Sequence, residues 1–461
     1  MAQERIRNMT EGSPARLLVS FALPLMAGNV FQQLYTVVDT AVVGRVVGVD
    51  ALAAVGAADW LNWMILSMLF GFTQGFSILM AQHFGAGDHR ELSRTVGVSL
   101  TLTAVIAGLS LVGGQAAAEP VLRLVNTPED IRPLALLYLR IVFAGIPAIA
   151  ANNFLASILR ALGDSKTPLY AMIGASLLNV GLDLLFVMVF RWGVAGAAVA
   201  TVIAQVFSAW FCWRSVRRIS VIRLEKGDLR PTRARTVALL KLGFPVALQN
   251  WIISIGGMIV QSVINRYGML FIAGYTATNK LYGLLEIAAS SYGFALTSYV
   301  GQNLGAGRLD RIRKGVRAGV WISLGTAVAI GGGLLVFGQP LLSLFISGTQ
   351  EQARAVLEIA YRYLCFMAIP LPVLYLLYVY RSSLMGLGDT VVPMASGFVE
   401  MAMRLSVALF LPLALGQEGI YYAEPAAWTG ATVLLTAAYY IRIFALERKR
   451  AEKSTEETER V

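Results

Sequence analysis

Long, predominantly apolar runs recur along the whole chain, with most charges gathered in the gaps between them, and this leaves the sequence few ways to fold. Twelve runs can be marked: Leu17–Val43, Ala54–Met80, Val96–Gln115, Leu134–Ile158, Leu169–Phe190 and Val194–Trp213, then Val237–Ile264, Ile272–Tyr299, Val316–Phe337, Val356–Tyr380, Val391–Leu411 and Trp428–Leu446. About 20 predominantly apolar residues are enough for a helix to cross a bilayer. Within hydrocarbon the backbone must satisfy its own polar groups, which helices do locally. Only 14% of the residues are charged, against about 25% in soluble domains. The class that follows is an all-α polytopic membrane protein. A soluble enzyme with anchors is excluded, because no sizeable soluble segment remains between the runs. The first run reads as a retained span, since no cleavage-site pattern accompanies it.

Basic residues orient the spans. The linker from Arg214 to Arg235 holds Arg214, Arg217, Arg218, Arg223, Lys226, Arg230, Arg233 and Arg235 against Glu225 and Asp228. Arg90 with Arg94, Arg160 with Lys166, the cluster Arg308 to Arg317, Arg381 and Arg448–Arg450 also follow even-numbered spans, whereas Gly338–Arg354 and Pro412–Ala427 are poor in Lys and Arg. The positive-inside rule then places both termini and the linker in the cytoplasm. The +11 net charge is thereby explained by topology and does not point to nucleic acid. The linker itself is expected to be a solvated tether rather than a specific contact, with its basic residues near anionic lipid.

The chain also repeats itself. ALPLMAGN near Pro24 matches GFPVALQN near Pro245; QHFGAG at 82–87 matches QNLGAG at 302–307; LRALGDSKTP matches LMGLGDTVVP. The first two pairs are offset by about 220 residues, as expected for duplicated lobes with parallel topology. The expected organisation is an amino segment 1–16, a six-helix lobe 17–213, a linker 214–236, a second lobe 237–446 and a charged tail 447–461. The fold class is thus twelve transmembrane helices in two pseudo-symmetric six-helix lobes around a central cavity. The glycine motifs read as tight turns, being too short for a dinucleotide fingerprint. Pro24, Pro147, Pro245, Pro370 and Pro372 fall inside spans and favour kinks. Tyr422 and Trp428 read as interfacial anchors. Cys212 and Cys365 imply neither disulfide nor metal, and His83 with His89 is too sparse for a metal site.

Polar residues inside the runs carry the functional argument. Asp39 is the only charged residue of the first run, and Tyr35 and Gln32 share its helix face. A carboxylate in hydrocarbon must be protonated, paired or turned to water. The bland alternative puts Asp39 at the headgroups; the functional one makes it bind an ion or proton. In the fifth run Asn179 and Asp183 stack at a four-residue spacing, the sixth supplies Thr201, and the fourth adds Tyr138 and Asn153. Two nearby carboxylates can share a proton, or the same oxygens can surround Na⁺, and the sequence leaves both open. In the second half, Lys280 and Glu286 lie in the eighth run, and Glu400 and Arg404 one turn apart in the eleventh. Glu400 and Arg404 are expected to neutralise each other as a structural lock, with substrate selection by Glu286 or Glu400 as the alternative.

Taken together, QQLYTVVDTAVVG, Ala51–Gly56, the QHFGAG/QNLGAG pair, RALGDSKTP and NVGLD resemble the multidrug and toxic compound extrusion (MATE) family, within the multidrug/oligosaccharidyl-lipid/polysaccharide flippase superfamily. The resemblance spans about residues 15–446. It implies a secondary transporter, not an enzyme, expelling organic cations or amphipathic drugs in exchange for H⁺ or Na⁺. Asp39, Asn179, Asp183 and Thr201 match the family's amino-lobe polar residues and are the expected ion- or proton-coupling set, with Na⁺ as one candidate occupant, and Tyr138 and Asn153 look like its helix-four pair. Other branches carry a cation site in the second lobe, with acids on helices seven and ten. Here Val237–Ile264 has no acid and Val356–Tyr380 only Glu358 near its start, so coupling belongs to the first lobe. A monomer in a prokaryotic inner or plasma membrane is expected, in contact with lipids and without a cofactor beyond the coupling ion. The alternative is a lipid-linked oligosaccharide or polysaccharide flippase of the same superfamily.

Overall fold

The computed structural model describes residues 6–346 and 349–459, and among them every regular element is helical. The first half comprises α1 (Pro14–Val42), α2 (Val49–Gly85), α3 (His89–Leu124), α4 (Arg132–Ala144), α5 (Ile146–Ala161), α6 (Lys166–Asp183) and α7 (Gly193–Val216). The second comprises α8 (Arg233–Ile264), α9 (Met269–Gly305), α10 (Leu309–Ser343), α11 (Gln350–Ala368), α12 (Leu371–Gly386), α13 (Val391–Phe410), the short α14 (Pro412–Leu415) and α15 (Ala423–Glu459). To within a residue, each of the twelve apolar runs falls on one helix or one bent pair, except that the fifth continues past α6 through a π-helical turn at Leu184–Val189. Among the described residues, eight helical stretches are long and apolar enough to cross a membrane, or ten if each bent pair counts as one span.

The bends have identifiable causes. α4 and α5 meet at 48°, with Pro147 at the start of α5. A proline there removes an N–H and crowds the carbonyl four residues back. α11 and α12 meet at 47°, with Pro370 in the break and Pro372 in the first turn of α12. Pro24 and Pro245, by contrast, lie within the uninterrupted α1 and α8.

Helix contacts divide the chain into two compact units, one containing residues up to Glu11 and Ser20–Trp251, the other Gly12–Val19 and Ile252–Val461. Each uses the repeated motifs in the same way. In the first, α2 ends with Ala86 N–H donating to the Gln82 carbonyl (2.9 Å) and Asp88 N–H to that of His83 (3.1 Å); in the second, Ala306 donates to Gln302 (3.0 Å) and Arg308 to Asn303 (2.9 Å). Gly87 (φ 73°) and Gly307 (φ 68°) occupy the left-handed position that closes these turns, where a Cβ would be strained. The later motif pair behaves alike, with Gly163 at φ 82° and Gly388 at φ 81°.

In the first unit Phe76, Phe143, Phe154 and Leu139 are fully or almost fully buried. α2 meets the first half of α8 where side chains are small: a Cβ on Gly75 would lie 2.4 Å from Gly243 Cα, and one on Gly71 2.5 Å from Ala247 Cα. The Trp251 indole N–H extends this seam by donating to the Met64 carbonyl at 2.7 Å. In the second unit Tyr299, Tyr363, Tyr375 and Phe271 are buried. Trp428 belongs with them, only 1% exposed and stacked on Tyr282 at 5.9 Å. It is a core residue and not the interfacial anchor expected from sequence. Tyr422 stays exposed.

The linker also departs from the sequence expectation. Between Arg223 and Arg235 it is docked onto α3 and is no solvated tether. Glu225 and Asp228 close a capping box around the turn Lys226–Leu229. Arg90 pairs with the buried Asp228 at 2.9 Å and with Glu225 at 3.0 Å. Arg223 N–H donates to Ser93 (3.0 Å) and Thr101 to the Leu229 carbonyl (2.8 Å), while Arg235 pairs with Glu91 at 3.1 Å. Gly97 permits the approach, since a Cβ there would sit 2.5 Å from the Asp228 carbonyl oxygen.

Candidate functional site

α1 and α6 carry the two carboxylates singled out from sequence, and both helices change character next to them. α1 loosens into a π-helical turn at Val43–Val47, four residues past Asp39, and α6 does so at Leu184–Val189, immediately after Asp183. Widened turns of this kind are concentrated at functional sites, because the inserted residue displaces the neighbouring side chains.

The Asp39 and Asp183 carboxyl groups lie within hydrogen-bonding reach of each other. Asp183 is fully buried and Asp39 half-buried. On each, Oδ1 is shielded from solvent and has no hydrogen-bond partner. With its amide oriented to satisfy both ends, Asn179 donates to Asp183 Oδ2 at 3.2 Å and accepts from Thr201 N–H at 3.3 Å. The Thr201 hydroxyl donates to the Ala197 carbonyl at 3.1 Å, which leaves its lone pairs free to accept. Asp39, Asn179, Asp183 and Thr201 are therefore gathered from α1, α6 and α7 into one oxygen-rich cluster. Two adjoining buried carboxylates cannot both stay charged without a proton or a cation between them.

Tyr35 faces both carboxylates and bonds with Gln32 and Thr36 on its own helix. Tyr138, 9% exposed, brings its hydroxyl from α4 into the field of Asp39, Asp183 and Tyr35. Asn153 is half-buried, but the α5–α7 bridge is made by its neighbour. Asn152 donates to Gln205 at 3.0 Å and accepts from Ser208 at 2.8 Å. Sequence reasoning passed over this bridge, and it passed over Asp59 of α2, which lies close enough to act on both Asp39 and Tyr138. Its signal was available: a lone carboxylate in the second apolar run, the criterion that had singled out Asp39.

In the second unit the expected Glu400–Arg404 lock is replaced by two other pairs. Arg381 donates to Glu400 and, at 3.1 Å, to Ser396; Arg404 pairs with Glu424 at 2.8 Å. Both arginines are below 10% exposed. Arg381, counted in the sequence among the topology charges, is therefore an internal residue. The reason is geometric: neighbours one turn apart reach each other along the surface of one helix, whereas buried guanidiniums of α12 and α13 meet carboxylates across helices. Glu286 accepts from Tyr378. Lys280 is exposed, its ammonium 5.8 Å from the Phe345 ring centre.

Comparison with known proteins places these features in a family. The MatE family model matches residues 24–185 and 245–410, one copy in each half. A relative described as a probable multidrug resistance protein, YpnP of Bacillus subtilis (strain 168), is 32% identical over 343 residues, covering 74% of this chain and 76% of its own length. NorM of Thermotoga maritima, described in the same words, is 26% identical over 404 residues, 86% of this chain and 85% of its own. A solved MOP-superfamily transporter from Pyrococcus furiosus superposes with a TM-score of 0.89 at 24% identity, over 95% of this chain and 98% of its own, and so shares the fold. A helical membrane architecture, a duplicated sequence and a family model satisfied once in each half make this chain a member of the MatE family of multi-pass membrane transporters.

Proposed function

We propose that this transporter exports organic cations by antiport, with the Asp39–Asp183 pair taking up the coupling ion, H⁺ or Na⁺. The observation that carries the reading is the pair of adjoining carboxylates whose Oδ1 atoms have no partner. An ion or proton at that point neutralises the pair; its release restores a charge that one side of the cycle must tolerate better than the other. Only such a difference in affinity between two states lets an ion gradient drive transport. The drug-resistance names of the relatives support a drug-like substrate, and the acidic cluster supports a cationic one. Basic gaps after even-numbered spans support a cytoplasmic membrane location with both termini inside, and the chain is proposed to work as a monomer.

Efflux of ethidium from proteoliposomes under separate pH and Na⁺ gradients tests this reading. One gradient should drive wild-type efflux. Asp39→Asn and Asp183→Asn should each lower driven efflux at least tenfold at equal insertion. The double variant should be no worse than either single one, because both groups serve one step. Undiminished gradient-driven efflux in the double variant would overturn the assignment.

A further inference from the structure

Asp59 begins a second polar surface beside the carboxylate pair. It lies ten residues into α2, about 15 Å from the helix start at 1.5 Å per residue. A carboxylate at that depth is costly against lipid. Its neighbours belong to the interior of the first unit: it lies within the field of Asp39, and among the charged groups acting on the Tyr138 hydroxyl it is the strongest. Unlike the fully buried Asp183, Asp59 is exposed.

The residues that follow it on α2 suit the same ligand. Trp63, one turn on, shares the face of Asp59 and leaves 61% of its surface open. Asn62, three residues on, has a shielded Oδ1 without a partner. Tyr138 adds a second ring. The charged groups acting on Tyr138 are all acidic, and the orphaned atoms of Asp39, Asn62 and Asp183 are all acceptors. Exposed carboxylate, open aromatic face and unpartnered acceptors together describe a site for an organic cation, whose charge is drawn both to the carboxylate and to the ring faces. An anion would meet the like charge of Asp59 and of the Asp39–Asp183 pair.

We propose that Asp59, with Trp63 and Tyr138, receives the cationic group of the transported compound, separately from the Asp39–Asp183 pair that holds the coupling ion. This rests on the antiport reading and divides its two tasks between two sets of residues. Asp59 is then the residue that sets preference for charged over uncharged substrates, while the buried pair sets the response to the gradient.

Equilibrium binding to the purified full-length transporter, without any gradient, tests the division. The probes are tetraphenylphosphonium and triphenylphosphine oxide, an uncharged molecule with the same kind of rings. Asp59→Asn should weaken tetraphenylphosphonium binding at least tenfold and change binding of the oxide less than twofold. Asp59→Glu should recover most of the loss. Trp63→Leu should weaken the cation more than the oxide, and it tests the site independently if Asp59→Asn does not insert. In proteoliposomes, residual ethidium efflux by Asp59→Asn at saturating dye should still respond to the gradient, as it should not in Asp39→Asn. Unchanged cation affinity in Asp59→Asn, or equal weakening of both probes, overturns the assignment. Failure of the wild-type protein to bind the cation would instead overturn the cationic-substrate reading on which it rests.

Discussion

Asp164 and Asp389 hold the same place in the two copies of the LGD motif, yet the protein around them makes different use of each. Asp164 is buried and accepts from the N–H groups of Lys166 and Thr167 at 3.0 and 2.9 Å and from the Thr167 hydroxyl at 2.6 Å. Asp389 is half-buried and accepts from Val392 N–H at 3.2 Å. Losing a carboxylate that caps a first helical turn costs about 1–2 kcal/mol, and a burial that strands a hydroxyl raises the cost. Asp164→Ala should therefore lower the thermal midpoint in detergent more than Asp389→Ala does, as read by size-exclusion chromatography after heating. Equal shifts would show that the motif is used alike in both halves. The motif repeat was legible in the sequence. How deeply each copy is buried was not, since burial depends on which helices cover the turn.

Elements reveal why glycine is frequent in helices that have no turn to make. On α2, Gly75 and Gly71 let the backbone of α8 come into contact, whereas Gly108 on α3 faces open space. Small residues at such crossings supply the close packing that lipid cannot drive by hydrophobicity. Gly75→Leu should cost about 1–3 kcal/mol through overpacking and depress the thermal midpoint, with Gly108→Leu as the control that should not. A midpoint for Gly75→Leu matching that control would count against a tight seam. The helices themselves could be read from apolar run length, and their bends from Pro147, Pro370 and Pro372. That α1 and α8 continue unbroken past Pro24 and Pro245 could not, because a proline's missing hydrogen bond leaves several backbone arrangements open.

At the scale of the whole molecule, contacts join stretches far apart in the chain. Arg90 reaches Asp228 and Glu225 across more than 130 residues, and the linker becomes part of the first unit. Arg90→Ala should free the turn at Lys226–Leu229 and raise its amide deuterium exchange at least tenfold, since it strands the buried Asp228. Lys226→Ala, which removes an exposed side chain, should leave exchange unchanged. If Arg90→Ala exchanges at the wild-type rate, the linker is held by other contacts. The excess of arginine in this segment marked it as a loop, but ion pairs with α3 depend on packing that charge count does not encode.

By itself the sequence determined the helical membrane class, the duplication, and the candidate carboxylates, because hydrocarbon admits few backbone structures and penalises each charge placed in it. It placed Asp39 and Asp183 on separate helices and could go no further. Tertiary structure decided that these two adjoin, that Asp59 comes within the field of Asp39, and that Glu400 pairs with Arg381 while Arg404 turns to Glu424. The physical reason is that helical periodicity fixes neighbours only within one helix. Which charges meet across helices follows from how the helices pack, and a buried charge takes whichever partner that packing brings within a few ångströms.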